Sequence, residues 1–157
     1  MSLPEGLYII ESKENGATIG RNPREDLSLL PKPVVIHPVG EGLLPQASWI
    51  IKPEGEGTYL LENLGGFAIK QDKALYADIQ QPPTLTKWKL EHQPQHGESV
   101  YTITLPESGD GWTVEDTEAW SQIAVLPLAA TFSLPPQYFP RGIFSITPLP
   151  QLGFGRL

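Results

Sequence analysis

The side chains that could support catalysis or metal binding are few and poorly placed for either. The chain has three histidines and no cysteine. His92 and His96 lie in "HQPQHG", where a proline and a glycine indicate a turn, and His37 lies in a strand-like run. A histidine pair four residues apart binds metal readily on a helix, but not across a proline turn. Because the sequence also lacks a nucleophile elbow and a phosphate loop, we predict a protein that is not an enzyme and has no metal or cofactor.

Basic residues are prominent in the segment "RNPREDLSLLPKPVV", residues 21–35. Its prolines and mixed charges suit neither a helix nor a strand. One interpretation is a charged surface loop. The other is a substrate-like segment that docks into a protease as an extended strand, with the backbone of alternate residues bonded to the enzyme.

Three cations in or beside this segment could anchor such a loop, and Arg24 is the best placed. Pro23 precedes it, so that the missing N–H faces away from the enzyme and the fixed φ favours an extended chain. Arg21 as the anchor would put Pro23 where a pairing N–H is needed. Lys32 is followed directly by Pro33. We therefore expect substitution of Arg21 or Lys32 to have little effect, although Arg21 or Lys32 stays an alternative anchor.

The neighbours of Arg24 fit a loop that is bound tightly and cleaved slowly. Asn22 and Arg24 would be the residues that pair with the enzyme backbone. Glu25 follows the reactive bond, and Glu25 and Asp26 together would oppose turnover by trypsin-like enzymes. Pro31 stiffens the return of the loop, and rigid presentation lowers the entropy lost on docking.

The composition excludes several classes of partner. The formal charge of −7 argues against nucleic acid and anionic membranes, which both need a basic face. The N-terminus has no basic segment followed by a long apolar one, and no apolar run reaches membrane-spanning length. We expect a cytoplasmic monomer with a single domain over residues 1–157.

The elements that position these residues are predicted to be strands throughout, since short alternating apolar runs are bounded by Gly, Pro, Asn and Asp. Similar strand starts recur as "GLYI" at Gly6, "GFAI" at Gly66 and "GWTV" at Gly111. A hairpin pattern of two aromatic residues, each with an aliphatic residue two positions on, also recurs three times. Its aromatic residues, which we expect to be buried, are Trp49, Tyr59, Trp88, Tyr101, Phe132 and Phe144.

These repeats predict an all-β chain with the β-trefoil fold, built from three four-strand repeats over residues 6–65, 66–110 and 111–157 with pseudo-threefold symmetry. A β-sandwich is the alternative. The first repeat is much longer than the others between its opening glycine and its hairpin aromatic. The extra residues predict a long loop at 22–32, between the second and third strands, and a second one at 40–47.

Carbohydrate binding is an alternative function, because many β-trefoils are lectins. Asp116, Trp120 and Gln122 in "EDTEAWSQ" could supply a carboxylate, a stacking face and an amide. The repeated Gln-x-Trp signature of ricin-type lectins is absent, so we interpret Trp120 as a residue packed at a hairpin edge.

The threefold hairpin pattern, the opening "MSLPEGLYII" and the basic loop resemble the cospin-type serine protease inhibitors of mushrooms over essentially the whole chain. The resemblance implies a β-trefoil that inhibits trypsin-like proteases through the loop between strands 2 and 3. On this sequence the reactive site would be Arg24 and Glu25, supported by Asn22, Pro23 and Asp26. It also implies a defensive or regulatory role in a fungus.

Related mushroom trefoils of the mycocypin type inhibit cysteine proteases through the loops after the first and third strands. The corresponding segments are residues 11–16 and 40–47, so this activity stays an alternative. A legumain inhibitor would need an asparagine in residues 71–74, and "QDKA" has none.

Overall fold

The computed structural model describes residues 2–80 and 84–149. It has the predicted all-β character, with two short 3-10 helices, Pro45–Ala47 and Pro140–Gly142, and no α-helix in those ranges. The strands are β1 Gly6–Ser12, β2 Ile19–Arg21, β3 Lys32–Ile36, β4 Ser48–Pro53, β5 Thr58–Asn63, β6 Gly66–Gln71, β7 Ala74–Asp78, β8 Trp88–His92, β9 Val100–Thr104, β10 Asp110–Thr113, β11 Ala124–Pro127 and β12 Phe144–Pro148. None of the described helices is long and apolar enough to cross a membrane.

Six of the strands form a closed antiparallel ring. Going round the ring, β1 pairs with β4, β4 with β5, β5 with β8, β8 with β9, and β9 with β12, which returns to β1. Closure pairs both edges of every strand in the ring, so that none of them presents a free edge to solvent.

The other six strands form three hairpins, β2–β3, β6–β7 and β10–β11. The hairpins are joined to one another, because β7 pairs with both β3 and β11, and Val35 bridges to Gln122. The chain therefore uses one pattern three times, in β1–β4, β5–β8 and β9–β12. In each set the first and fourth strands belong to the ring and the second and third form a hairpin.

The three glycine-led strand starts are not equivalent in this pattern. "GLYI" forms the ring strand β1, whereas "GFAI" and "GWTV" form β6 and β10, which are hairpin strands. The sets of four strands begin at β1, β5 and β9, and not at residues 66 and 111 as the sequence suggests. Residues 150–157 of the predicted third repeat lie outside the described residues.

Five of the six aromatic residues predicted for the core are buried, namely Trp49, Tyr59, Trp88, Tyr101 and Phe144. The prediction for Phe132 is wrong, because its side chain is fully exposed. Pro135 and Pro136 follow it closely, and proline cannot donate to a strand ladder, so the expected hairpin strand does not form. Phe144, in β12, takes the ring position instead.

Trp112 of β10 fills the centre of the core. Its ring centroid lies 5.3 Å from that of Trp49, 5.9 Å from that of Trp88 and 6.0 Å from that of Phe144. The contacts with Trp88 and Phe144 are edge-to-face, the arrangement that aromatic quadrupoles favour. This aromatic cluster joins one hairpin to three ring strands.

Candidate functional site

The long charged loop lies between the second and third strands, where the sequence predicts it. Residues 22–31 form it, and Lys32 is the first residue of β3. All five predicted site residues, Asn22 to Asp26, are on this loop, but their side chains have different surroundings.

Arg21 is held inside the structure at the start of the loop. Its guanidinium makes a bidentate pair with Glu25, with Nε–Oε2 at 2.9 Å and Nη2–Oε1 at 2.7 Å. Nη1 also donates to the carbonyl oxygen of Leu64 at 2.7 Å. Both charged side chains are mostly buried, and bidentate geometry of this kind is strong and directional. Arg21 and Glu25 therefore fix the first half of the loop.

Lys32 is held in the same way at the end of the loop. Its ammonium group is buried and donates to Asp26 Oδ1 at 2.7 Å, to the Asp26 carbonyl at 3.1 Å and to the Ser28 carbonyl at 2.8 Å. The hydrogen bond from Lys32, aided by two from Ser28, lowers the pKa of Asp26 to about 2. The expectation that Arg21 and Lys32 are dispensable conflicts with this geometry, because Arg21 fixes the start of the loop and Lys32 holds its return in place.

Arg24 is exposed and projects from the loop. Among the residues that the structure describes, its guanidinium has no hydrogen bond or ion pair. Its backbone N–H donates to Asn22 Oδ1 at 2.9 Å, which closes a small turn around Pro23. In a substrate-like loop this N–H would face the enzyme, whereas here it is hydrogen-bonded to Asn22.

A cleft lies between the loop and the β10–β11 connection. Its volume is about 510 Å³, and its lining includes Arg24, Asp26, Lys32 and Trp120. Trp120 has a φ of 72°, in the left-handed region that bulky residues rarely adopt, and its side chain is 40% exposed. The predicted packed edge position is therefore only partly correct, since Trp120 forms one wall of an open cleft.

Asn63, which the sequence analysis does not identify, supports the base of the loop. Its Oδ1 accepts the Arg21 backbone N–H at 2.8 Å, and its Nδ2 donates to the carbonyls of Gln46 and Ser48 at 2.9 and 2.8 Å. The side chain is buried. In sequence it reads as an ordinary turn residue before Leu64, and no local pattern shows that its amide joins three distant backbone groups.

His37, directly after β3, is the buried structural residue that the sequence predicts. Its Nε2 lies 3.0 Å from the Arg21 carbonyl oxygen and its Nδ1 lies 3.0 Å from Thr18 Oγ1. A neutral ring with the proton on Nε2 satisfies both partners. Burial lowers the pKa of His37, and the hydrogen bond to Arg21 opposes this effect.

The side chains proposed for sugar binding are largely engaged elsewhere. Asp116 Oδ1 accepts the backbone N–H of Glu118 at 2.9 Å, and Gln122 Nε2 donates to the Leu75 carbonyl at 2.8 Å. For metals, no cluster of three or more His, Asp or Glu side chains occurs within residues 2–80 and 84–149. The segments considered for cysteine proteases lie together around a cavity of about 250 Å³, between Glu11 and Leu43.

Comparison with known proteins identifies the family. The family model described as peptidase inhibitor I66 matches residues 1–148. The chain belongs to this family. The resemblance to mushroom serine protease inhibitors is thereby confirmed.

Two relatives of the I66 chain agree with this assignment. A curated "Serine protease inhibitor" from Lentinula edodes is 32% identical over 148 residues, which is 94% of this chain and 99% of that protein. The solved structure of a proteinase inhibitor from Coprinopsis cinerea is 35% identical, with a TM-score of 0.82 over 94% of this chain and 100% of the other.

More distant structures share the fold alone. A designed three-fold symmetric protein, ThreeFoil, has a TM-score of 0.69 at 16% identity, covering 92% of this chain and 99% of its own. A ricin B-like lectin from Macrolepiota procera, solved with lactose, has a TM-score of 0.69 at 13% identity, covering 95% and 99%.

Proposed function

We propose that this I66 protein inhibits trypsin-like serine proteases and is not itself an enzyme. Loop 22–31 enters the active-site cleft of the protease, and Arg24 fills its primary specificity pocket. The observation that carries the proposal is that the three cations of the loop have different surroundings. Arg21 and Lys32 are held by internal partners, whereas Arg24 is exposed and, within the described residues, unpaired.

The internal bonds of the loop account for tight binding without rapid cleavage. The pair between Arg21 and Glu25 spans the bond that follows Arg24, and the pair between Lys32 and Asp26 holds the segment beyond that bond. Because both pairs are formed before docking, little conformational entropy is lost when the protease binds. The same pairs hold the residues that follow Arg24, so that a cleaved segment would stay in place and could rejoin.

Docking exchanges one internal hydrogen bond for new ones. The Arg24 N–H leaves Asn22 Oδ1 and donates to the enzyme backbone, as in strand-addition recognition. The guanidinium forms a charge-assisted pair with the acidic floor of the pocket. Asn22 and Pro23 thus hold Arg24 in its projecting position until the enzyme replaces their contacts.

We also propose that the fold is a β-trefoil. The closed six-stranded ring and the three linked hairpins support this, since one four-strand pattern recurs three times. The likeness to a designed three-fold symmetric protein supports it as well.

The test is trypsin inhibition by Arg24 variants. Removing the guanidinium leaves the pocket carboxylate buried and unpaired, so Arg24→Ala should weaken inhibition at least about 30-fold. Arg24→Lys should retain most of the inhibition, since an ammonium group also pairs with the carboxylate. Lys13→Ala, which removes an exposed cation from a different connection, is the matched control and should inhibit like the parent.

Three results would contradict the proposal. One is undiminished inhibition by Arg24→Ala. Another is inhibition of papain but not of trypsin, which would favour the loops after β1 and β3. The third is glycan binding that is lost in Trp120→Ala without any protease inhibition, which would favour a lectin.

A further inference from the structure

A second loop, outside the site described above, is folded on itself and ends in exposed apolar side chains. It joins β11 to β12, and its outer part is residues 130–138. Ala130 and Tyr138 form a bridge. The Thr131 N–H donates to the Gln137 carbonyl at 3.0 Å, and the Gln137 N–H donates to Thr131 Oγ1 at 3.0 Å.

The β8–β9 connection holds this loop from the side. Gln95 Nε2 donates to the Pro136 carbonyl at 2.8 Å, and the Tyr138 N–H donates to His96 Nε2 at 2.9 Å. Because the backbone of Pro136 and Tyr138 is hydrogen-bonded to another part of the chain, the position of the loop tip is fixed.

The side chains at the tip divide into two groups. Thr131 and Ser133 turn into the loop, where Thr131 Oγ1 lies 2.6 Å from Ser133 Oγ and Ser133 Oγ donates to the Pro135 carbonyl at 2.9 Å. Phe132, between them, points outward and is 104% exposed, and Leu134 is 96% exposed. A phenyl ring that gains nothing from burial in its own fold is a candidate for burial in a partner.

We propose that residues 131–135 form a second protease-binding segment, which presents Phe132 to the apolar specificity pocket of a chymotrypsin-like serine protease. An apolar slot accepts an aromatic side chain where a trypsin pocket requires a cation. Residues 128–139 contain no charged side chain, so docking desolvates no ion.

The geometry selects Phe132 rather than Leu134 as the anchor. Leu134 is followed directly by Pro135, whose ring takes the place of the N–H just beyond the bond. Phe132 is followed by Ser133, and the hydroxyl bonds from Thr131 through Ser133 to Pro135 span the Phe132–Ser133 bond. They hold both sides of that bond together, as the ion pair between Arg21 and Glu25 does around Arg24 in the first loop.

The second segment acts independently of the first. The hydrogen bonds of residues 22–31 run to one another, to Arg21, to Lys32 and to Gln80. Those of residues 130–138 run to one another and to the β8–β9 connection. The second segment therefore does not depend on Arg24.

The test combines a loss and a gain of function in the full chain. Chymotrypsin inhibition by Phe132→Ala should be weaker than that of the parent by at least about 30-fold, as expected for a central anchor. Val39→Ala, which trims an exposed apolar residue on the β3–β4 connection, is the matched control and should inhibit chymotrypsin like the parent. In a protein that carries Arg24→Ala, the added change Phe132→Arg should restore trypsin inhibition.

Restored trypsin inhibition would show that the chain folds when Phe132 is replaced, and undiminished trypsin inhibition by Phe132→Ala would show the same for that variant. The proposal is overturned if the parent leaves chymotrypsin fully active at micromolar concentration. It is equally overturned if Phe132→Ala inhibits chymotrypsin as well as the parent does. Trypsin inhibition by the parent reports on the first loop, so the two proposals fail separately.

Discussion

Lys32 and Arg24 have the same charge and lie on the same loop, yet we expect their removal to act through different mechanisms. Arg24 would contact the protease, whereas Lys32 holds the loop in its docking shape through Asp26 and Ser28. We predict that Lys32→Ala weakens trypsin inhibition about tenfold, because the entropy of ordering the loop is then lost on binding. Inhibition constants, together with the rate at which trypsin cleaves the free loop, measure this effect.

Cleavage of the loop separates the two mechanisms. Lys32→Ala should be cut faster than the parent after Arg24, whereas Arg24→Ala should not be cut there at all. Lys13→Ala again controls for the loss of a positive charge. Equal inhibition and equal cleavage of Lys32→Ala and the parent would show that the Asp26 pair does not stiffen the loop.

At the residue scale, the sequence shows which side chains are charged but not which charges are paired. The preference for Arg24 rests on the local constraint that Pro23 puts on the backbone, and it stays a prediction. The bond from Lys32 to Asp26 depends on the path of the loop between them, and the Arg21 guanidinium reaches Leu64 on a distant turn. Such partners come from tertiary structure. The spacing of residues alone could not show which of the three cations is paired inside the fold.

The β2–β3 hairpin depends on a histidine that must stay neutral. His37 accepts from Thr18 and donates to the Arg21 carbonyl at the start of the loop. Burial lowers the pKa of His37 in the folded protein, while the unfolded chain takes up its proton near pH 6.5. The unfolded state therefore binds more protons below that pH, and stability falls as the pH drops from about 6.5 towards the folded pKa.

We predict that the thermal midpoint decreases between pH 7 and pH 5, and that His37→Gln shows a smaller decrease over the same range. Differential scanning calorimetry of both proteins measures it. His92→Gln, which alters β8 and leaves the bonds to Thr18 and Arg21 intact, should keep the decrease of the parent. An equal slope in His37→Gln would assign the pH dependence to other groups.

At the element scale, the strands and the position of the long loop are predictable from the sequence. The strand at which each four-strand repeat begins is not. A glycine followed by alternating apolar residues describes any strand after a turn, and β1 shares this pattern with β6 and β10. Ring strands and hairpin strands differ in the strands that they pair with, which sequence periodicity does not encode. The error at Phe132 was avoidable, because Pro135 and Pro136 argue against the expected strand.

The aromatic core tests how strictly the molecule follows its repeated pattern. In the first two sets a ring tryptophan donates to the neighbouring hairpin strand, from Trp49 Nε1 to the Ile19 carbonyl at 2.8 Å and from Trp88 Nε1 to the Ala68 carbonyl at 3.0 Å. In the third set the ring residue is Phe144, which cannot donate. The third tryptophan, Trp112, lies instead on the hairpin strand β10. Its Nε1 is buried with no partner among the described residues.

We predict that Trp49→Phe destabilises the protein more than Trp112→Phe does, by about 1 kcal/mol. Both changes remove the same atoms from fully buried sites, but only the first breaks a hydrogen bond. Urea denaturation measures the difference. Trp88→Phe should resemble Trp49→Phe, and a larger loss in Trp112→Phe than in both would show that packing at the centre outweighs the hydrogen bond.

The pairing of β1 with β12 also determines when the ring can close during synthesis of the chain. These strands come from opposite ends of the sequence, and Ile10 lies opposite Ile146 in the ladder that closes the ring. During synthesis β1 and β4 can pair early, but β1 keeps one open edge until β12 leaves the ribosome. Contacts so distant in sequence slow folding, and an open edge invites pairing with another chain. A nascent chain of this protein is therefore exposed to aggregation through β1 until β12 appears.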